Sequence, residues 1–170
     1  VAAKTGDKLL VLRLLTECKR SLTPAQFQLF LKAADGNACN TLHLLAIDNN
    51  QEMMECVVEL LGHFDESVLK DLILGAASNG FNVLHIASSK GNAIMVKFLL
   101  EIIEEKSLIG DIIDSKDVAG HTALIIASCN GHLEVVDELI ERNPNFKAKN
   151  GHEKSALYFA SLNGHTAIVS

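Results

Sequence analysis

The sequence predicts an all-α solenoid: helix-turn-helix units stacked in line, with inserted helices in the connections. Three observations carry this expectation. A short apolar segment centred on a leucine recurs four times, at Leu42, Leu84, Leu124 and Leu157, with spacings of 42, 40 and 33 residues. Seven residues after the last three of these leucines stands Gly91, Gly131 or Gly164, with Asn49 in the first copy. A second apolar stretch then follows at helical spacing, as in Val135, Val136, Leu139 and Ile140.

Each copy therefore reads helix, tight turn, helix, longer connection. Gly or Asn at the turn suits a backbone that passes through positive φ between two helices. Thr122 and Ser155 stand where a side chain can cap the first helix. Ala87, Ala127 and Ala160 are small enough to let neighbouring helices approach closely. One unit cannot enclose a core, so the copies must bury their apolar faces against one another.

In chain order, a partial copy spans residues 1–20, marked by Gly6 and then Leu10, Val11, Leu14 and Leu15. An insertion follows at 21–34. Thr23 before Pro24 is a helix start, and Phe27, Phe30 and Leu31 share one face of the helix it opens. A repeat at 35–64 precedes a second insertion, 65–76, which reads as a helix capped by Asp65. The next repeat, 77–116, carries extra residues from Glu101 to Asp111 that extend its second helix and add a turn at Gly110. A regular repeat at 117–149 and a partial one at 150–170 complete a single array. The chain starts without Met and stops inside an apolar segment, so a fragment of a longer protein is expected.

The stretch from Asp117 to Val136 resembles the ankyrin repeat, whose pattern is D-x-x-G-x-T-P-L-H-x-A-A-x-x-G-H. The likeness recurs through nearly the whole chain. It departs from the pattern at the family proline, replaced by Thr41, Val83, Ala123 and Ala156, and keeps the family histidine only at His43 and His85. In the last copy Glu153 falls where the hairpin glycine belongs, which puts the shape of that hairpin in question.

The resemblance implies a protein-binding scaffold that works through its hairpin tips and the exposed face of each first helix. By position these are Asn79, Phe81, His121 and Lys154 at the tips, and Asp48, Lys90, Asn130 and Asn163 just before the turns. Phe81 is the expected anchor, because aromatic side chains dominate interface energetics. The insertions are a second candidate surface. The family histidines His43 and His85 are expected to brace neighbouring loops, with His132 and His165 also at structural positions. Some ankyrin repeats are asparaginyl-hydroxylase substrates, but Lys147 stands at the matching position of the most regular copy.

Composition excludes several alternatives. Fifteen basic against 21 acidic residues give a net charge of −6, evenly divided between the halves, which disfavours nucleic acid. The four cysteines, at 18, 39, 56 and 129, form no C-x-x-C pair and read as reduced thiols of a cytoplasmic protein. The seven histidines include no H-E-x-x-H spacing, and neither a P-loop nor a G-x-S-x-G elbow occurs. No catalysis, metal, cofactor or membrane insertion is expected, and the array should be monomeric. The excess of 12 Lys over 3 Arg, with 12 Asn, resembles the ankyrin effectors that intracellular bacteria deliver into host cytoplasm. The alternatives are a targeting domain of a larger enzyme and an I-kappa-B-like sequestering module.

Overall fold

The computed structural model describes residues 23–47, 65–106 and 109–169, together with Arg13, Glu17, Arg20, Ser21 and Leu61. Most of the partial copy at the start, most of the second helix expected in the first full repeat, Asp48 and His63 lie outside the described residues. What is described is helical: α1 Pro24–Lys32, α2 Thr41–Ile47, α3 Glu66–Leu74, α4 Val83–Lys90, α5 Ala93–Glu105, α6 Ile109–Ile112, α7 Ala123–Asn130, α8 Leu133–Ile140, α9 Ala156–Leu162 and α10 Thr166–Val169.

The helices form two layers. The inner helices α2, α4, α7 and α9 pack side by side in that order. Behind them, α5 packs on α8 and α8 on α10. The core lies between and within the layers, and its fully buried members include Leu42, Leu84, Met95, Leu99, Leu100, Val135 and Leu139. Burial here is distributed from repeat to repeat rather than gathered at one centre, as stacking requires.

Ala87, Ala127 and Ala160 are each 0% exposed. They sit where inner helices meet, so Ala127→Leu should force the stack apart and cost about 1–3 kcal/mol. A urea midpoint equal to that of the parent would contradict the packing described.

Local sequence explains most of the helix starts. In α1, Thr23 Oγ1 accepts from the Gln26 amide at 3.4 Å, while Gln26 Oε1 accepts from the Thr23 amide at 2.9 Å. This reciprocal pair satisfies two donors that the first turn would otherwise leave open. Asn82, Thr122 and Ser155 cap α4, α7 and α9 by accepting from His85, Ile125 and Tyr158 amides. The insertion helix α3 forms as its pattern predicts, with Leu69, Leu72 and Ile73 buried. Two expectations need correction. Asp65 occupies the cap position of α3 but its side chain accepts no capping bond. Gly110 lies in the one-turn helix α6 rather than in a turn.

The hairpins preceding the inner helices repeat one geometry. The amides of Asp35, Ala77, Asp117 and Asn150 donate to the carbonyls of Cys39, Phe81, His121 and Lys154, at 3.0, 2.8, 3.0 and 3.0 Å. Within each hairpin one residue takes positive φ: Ala38 at 60°, Gly80 at 79°, Gly120 at 82° and Glu153 at 60°. The displaced glycine of the last copy therefore does not alter the hairpin, because Glu153 adopts the conformation itself. A side chain in this region costs ~1–2 kcal/mol, against ~0.5–1 kcal/mol for the extra freedom glycine loses on folding. Glu153→Gly is accordingly expected to stabilise the fold by about 0.5–1 kcal/mol. The exposed Lys149 pair it removes, at 3.0 Å, offsets little of this. Thermal unfolding checks it, and a fall in midpoint would contradict the reading.

Candidate partner-binding face

The residues after each inner helix join one repeat to the next. Gly91 and Gly131 close α4 and α7 in the left-handed conformation, at φ 69° and 77°. The residue that follows each glycine reaches back to the preceding repeat. His132 Nε2 donates to the Ser89 carbonyl at 3.1 Å, and His165 Nε2 donates to the Cys129 carbonyl at 3.0 Å. Asn92, at the equivalent place, donates to the Ala46 carbonyl at 3.4 Å. The imidazole of His132 lies against Gly91 so closely that a Cβ there would stand 2.6 Å from Nδ1. For Gly131 and the ring of His165 the closest distance would be 2.5 Å. These glycines thus serve both the turn and the seating of the next repeat.

His85 supplies a second kind of brace. The Asn82 amide donates to Nδ1 at 3.2 Å, which leaves the Nε2 proton to donate to the Ser115 carbonyl at 3.0 Å. His43 reaches the Phe81 carbonyl from Nε2 at 3.1 Å, so it ties the first full repeat to the next hairpin. Burial lowers the pKa of both imidazoles, more than their carbonyl partners raise it. The bracing roles expected of His43, His85, His132 and His165 match these contacts.

On the exposed side of the inner helices is an open cleft of about 250 Å³, lined by Phe81, Ser89, His121, Ile125, Ile126, Cys129, Asn130 and Phe159. Three of the sequence-predicted residues, Phe81, His121 and Asn130, thus meet in one place. Their surroundings differ from the expectation of free tips. Phe81 is half-buried and packed against the core, its ring 5.7 Å from that of His85. His121 has both ring nitrogens engaged: Nδ1 lies 3.0 Å from Asp117 Oδ2, and Asn150 donates to Nε2 at 3.0 Å. Asn130 donates to the Ser89 carbonyl at 3.3 Å.

The other predicted residues border this cleft or support the scaffold. Asn163 donates to the Cys129 carbonyl at 2.7 Å, repeating the role of Asn130. Asn79 Oδ1 accepts from the Phe81 amide at 3.0 Å. In the other hairpins that bond is made by Asp35, Asp117 and Asn150, whose position is taken here by Ala77. Lys90 is exposed at the end of α4. Lys154, at the position equivalent to Phe81 and His121, holds Nζ 4.2 Å from the centre of the Tyr158 ring. Asp48 lies outside the described residues.

Sequence reasoning missed the apolar row two residues after each aligned leucine: Leu44, Ile86, Ile126 and Phe159. Ile126 and Phe159 of this row line the cleft. The signal was present, since all four are large and apolar in helices whose buried side was already accounted for by the leucine and alanine positions.

The geometry defines a helical-repeat scaffold in which each unit is clamped to its neighbour and one face of the inner helices stays open. Comparison with known proteins gives the family. A model of three ankyrin repeats matches residues 102–170, and a single ankyrin repeat model matches 79–103. The chain belongs to the ankyrin repeat family. It is similar to an ankyrin repeat-containing protein of Arabidopsis thaliana, 36% identical over 53% of this chain and 16% of that protein. An E3 ubiquitin-protein ligase of the same plant is 36% identical over 51% of the chain and 16% of its own length. The nuclear factor NF-kappa-B p105 subunit of Gallus gallus is 27% identical over 78% of the chain and 12% of its own. The chain thus matches less than a fifth of each of these relatives. All three are eukaryotic, so they lend no support to a bacterial effector.

Ankyrin repeats are interaction modules, and a protein partner follows from the family. Among the described residues no helix is long and apolar enough to cross a membrane, and no group of three His, Cys, Asp or Glu is placed to hold a metal ion.

Proposed function

We propose that this chain is a non-catalytic scaffold that holds a partner protein on the inner helices and hairpin tips, with the cleft between α4, α7 and α9 at the centre of the contact. The observation that carries this reading is the convergence of Phe81, His121 and Asn130, drawn from successive repeats, around an apolar floor of Ile125, Ile126 and Phe159. Binding energy concentrates where large side chains meet a partly enclosed apolar pocket. Lys90, Lys154, Asn79 and Asn163, with Asp48, would form the polar margin. Because Asn130, Asn163 and His121 are already bonded within the scaffold, they present a fixed surface that orders no further on binding. This lowers the entropy lost in association.

A second reading has its own support: the array targets a larger protein whose activity lies elsewhere. The relatives include a ligase of which the match spans 16%. Sequestration in the manner of an I-kappa-B-like module is the corresponding reading of the match to the p105 subunit.

A partner recovered on the immobilised chain, then purified, provides the test. Phe81→Ala should weaken binding by about 1–2 kcal/mol, with helicity retained. Lys90→Ala should weaken it by under about 1 kcal/mol, since an exposed charge is well solvated. Normal binding by both the Phe81 and His121 variants, with loss on changing exposed residues of α3, would move the recognition element to the insertion.

A further inference from the structure

The charges of the array are sorted between its two layers. The inner helices α2, α4, α7 and α9 contain no Asp or Glu. The outer helices α5 and α8 carry Glu101, Glu104, Glu105, Glu134, Asp137 and Glu138. The carboxylates of the described hairpins are occupied. Asp35 accepts from the Asn37 and Cys39 amides at 2.8 and 3.1 Å. Asp117 is bound to His121, and Glu153 pairs with Lys149 at 3.0 Å. Two lysines stand in the rows that run through the cleft, Lys154 with its Nζ over the Tyr158 ring. Lys90 is one repeat before Asn130 in the row that precedes the turns, and Lys154 is one repeat after His121 in the row of tips. Neither has a carboxylate partner among the described residues. Among the described residues most of the helical acid therefore lies on the outer layer, where Lys97 accompanies it, while lysines stand in the rows of the inner face; Asp48, in the same row as Lys90, lies outside the described residues.

We infer that the cleft takes an extended acidic segment of a partner protein, with one large apolar side chain seated among Phe81, Ile126 and Phe159 and carboxylates on either side of it facing Lys90 and Lys154. The inference rests on the inner face being the binding face, and adds the chemistry of what binds there. Size supports a side chain over a small molecule: about 250 Å³ is below the ~300–1,000 Å³ of drug-sized sites. Charge selects the sign of the flanking residues. Carboxylates meet Lys90 and Lys154 on this face, whereas the outer layer repels them, so an acidic segment is guided to the cleft and away from α5 and α8. Strand-like chain rises ~3.4 Å per residue and packed helices lie ~8–10 Å apart. About six residues thus cross from α4 to α9.

The test is selection of a displayed library of random peptides of about twelve residues, enough to exceed that span, on the immobilised chain. Peptides with Asp or Glu on both sides of a Leu, Ile, Met or Phe should be recovered. A synthetic copy of the strongest should bind the Lys90→Glu, Lys154→Glu double variant at least about tenfold more weakly than the parent. Ser89→Trp, which fills the cleft without adding charge, and Phe159→Ala should each weaken the same peptide. Circular dichroism of every variant establishes that it folds. Recovery of basic or uncharged peptides, or indifference to the double variant, overturns the acidic segment. The inner face survives that result if Ser89→Trp and Phe159→Ala still weaken binding. Indifference to those two variants as well overturns both. No enrichment above background overturns the segment, while a partner protein sensitive to Phe81→Ala would keep the face.

Discussion

Gly131→Ala is expected to destabilise the fold by about 1.5–4 kcal/mol. Two costs add at this position. The backbone stands at φ 77°, where a β-carbon is disfavoured by ~1–2 kcal/mol, less the ~0.5–1 kcal/mol of freedom that glycine loses on folding. The new Cβ would also lie 2.5 Å from the His165 ring, and relieving that contact by shifting the next repeat costs ~1–3 kcal/mol. Gly164 separates the two. Its φ is 73°, yet no atom lies within 4 Å of its hypothetical Cβ. Gly164→Ala should therefore show the net backbone cost alone, about 0.5–1 kcal/mol. Chemical denaturation of both variants checks the pair, and equal losses would mean that the histidine seat contributes nothing.

His85→Ala should cost about 2–4 kcal/mol and flatten part of the acid dependence of stability. The substitution leaves the buried Asn82 amide unmet, at ~1–3 kcal/mol, and takes the imidazole from the part-buried Ser115 carbonyl. It also opens space beside Phe81. The pH dependence follows from burial, which lowers the folded pKa of His85 and of His43 below the ordinary 6.5. Above that value both folded and unfolded chains hold the rings neutral, and stability does not depend on them. Below it the unfolded chain takes up protons first, so stability falls with decreasing pH until the folded rings also titrate. Each histidine contributes a slope of up to ~1.4 kcal/mol per pH unit in that interval. Unfolding curves between neutral pH and pH 5 should converge for parent and His85→Ala as the pH drops. A parallel decline would contradict the assignment.

The repeat was legible because its marks are local. The aligned leucines, the turn glycines and the capping Thr122 and Ser155 each express a backbone requirement met within a few residues, so sequence spacing alone places them. Burial of Ala87, Ala127 and Ala160 followed, since a small residue in a fixed register has one packing role. The site was legible only in part. Position in the repeat located Phe81, His121 and Asn130 on one face, but could not show that their polar atoms were already engaged. Two of those bonds run between residues 29 and 41 apart, Asn150 to His121 and Asn130 to Ser89, while the third, His121 to Asp117, spans four. Nor could spacing foresee that Asn79 substitutes for the side chain that Ala77 lacks. Leu157 marks another limit: it aligns with Leu84 and Leu124, which are 1% and 6% exposed, yet is itself 59% exposed. Its register is the same, but among the described residues α9 has an inner helix on one side only.

On the function proposed above, the inner layer, and not the outer one, receives the partner. Amide hydrogen exchange of the chain, free and saturated with its purified partner, tests it most directly. Added protection confined to the hairpins and inner helices of residues 77–90, 117–130 and 150–162, with α5 and α8 exchanging as in the free chain, is the predicted result. Protection concentrated on α5 and α8, or on α3, with the inner helices unchanged, would contradict it.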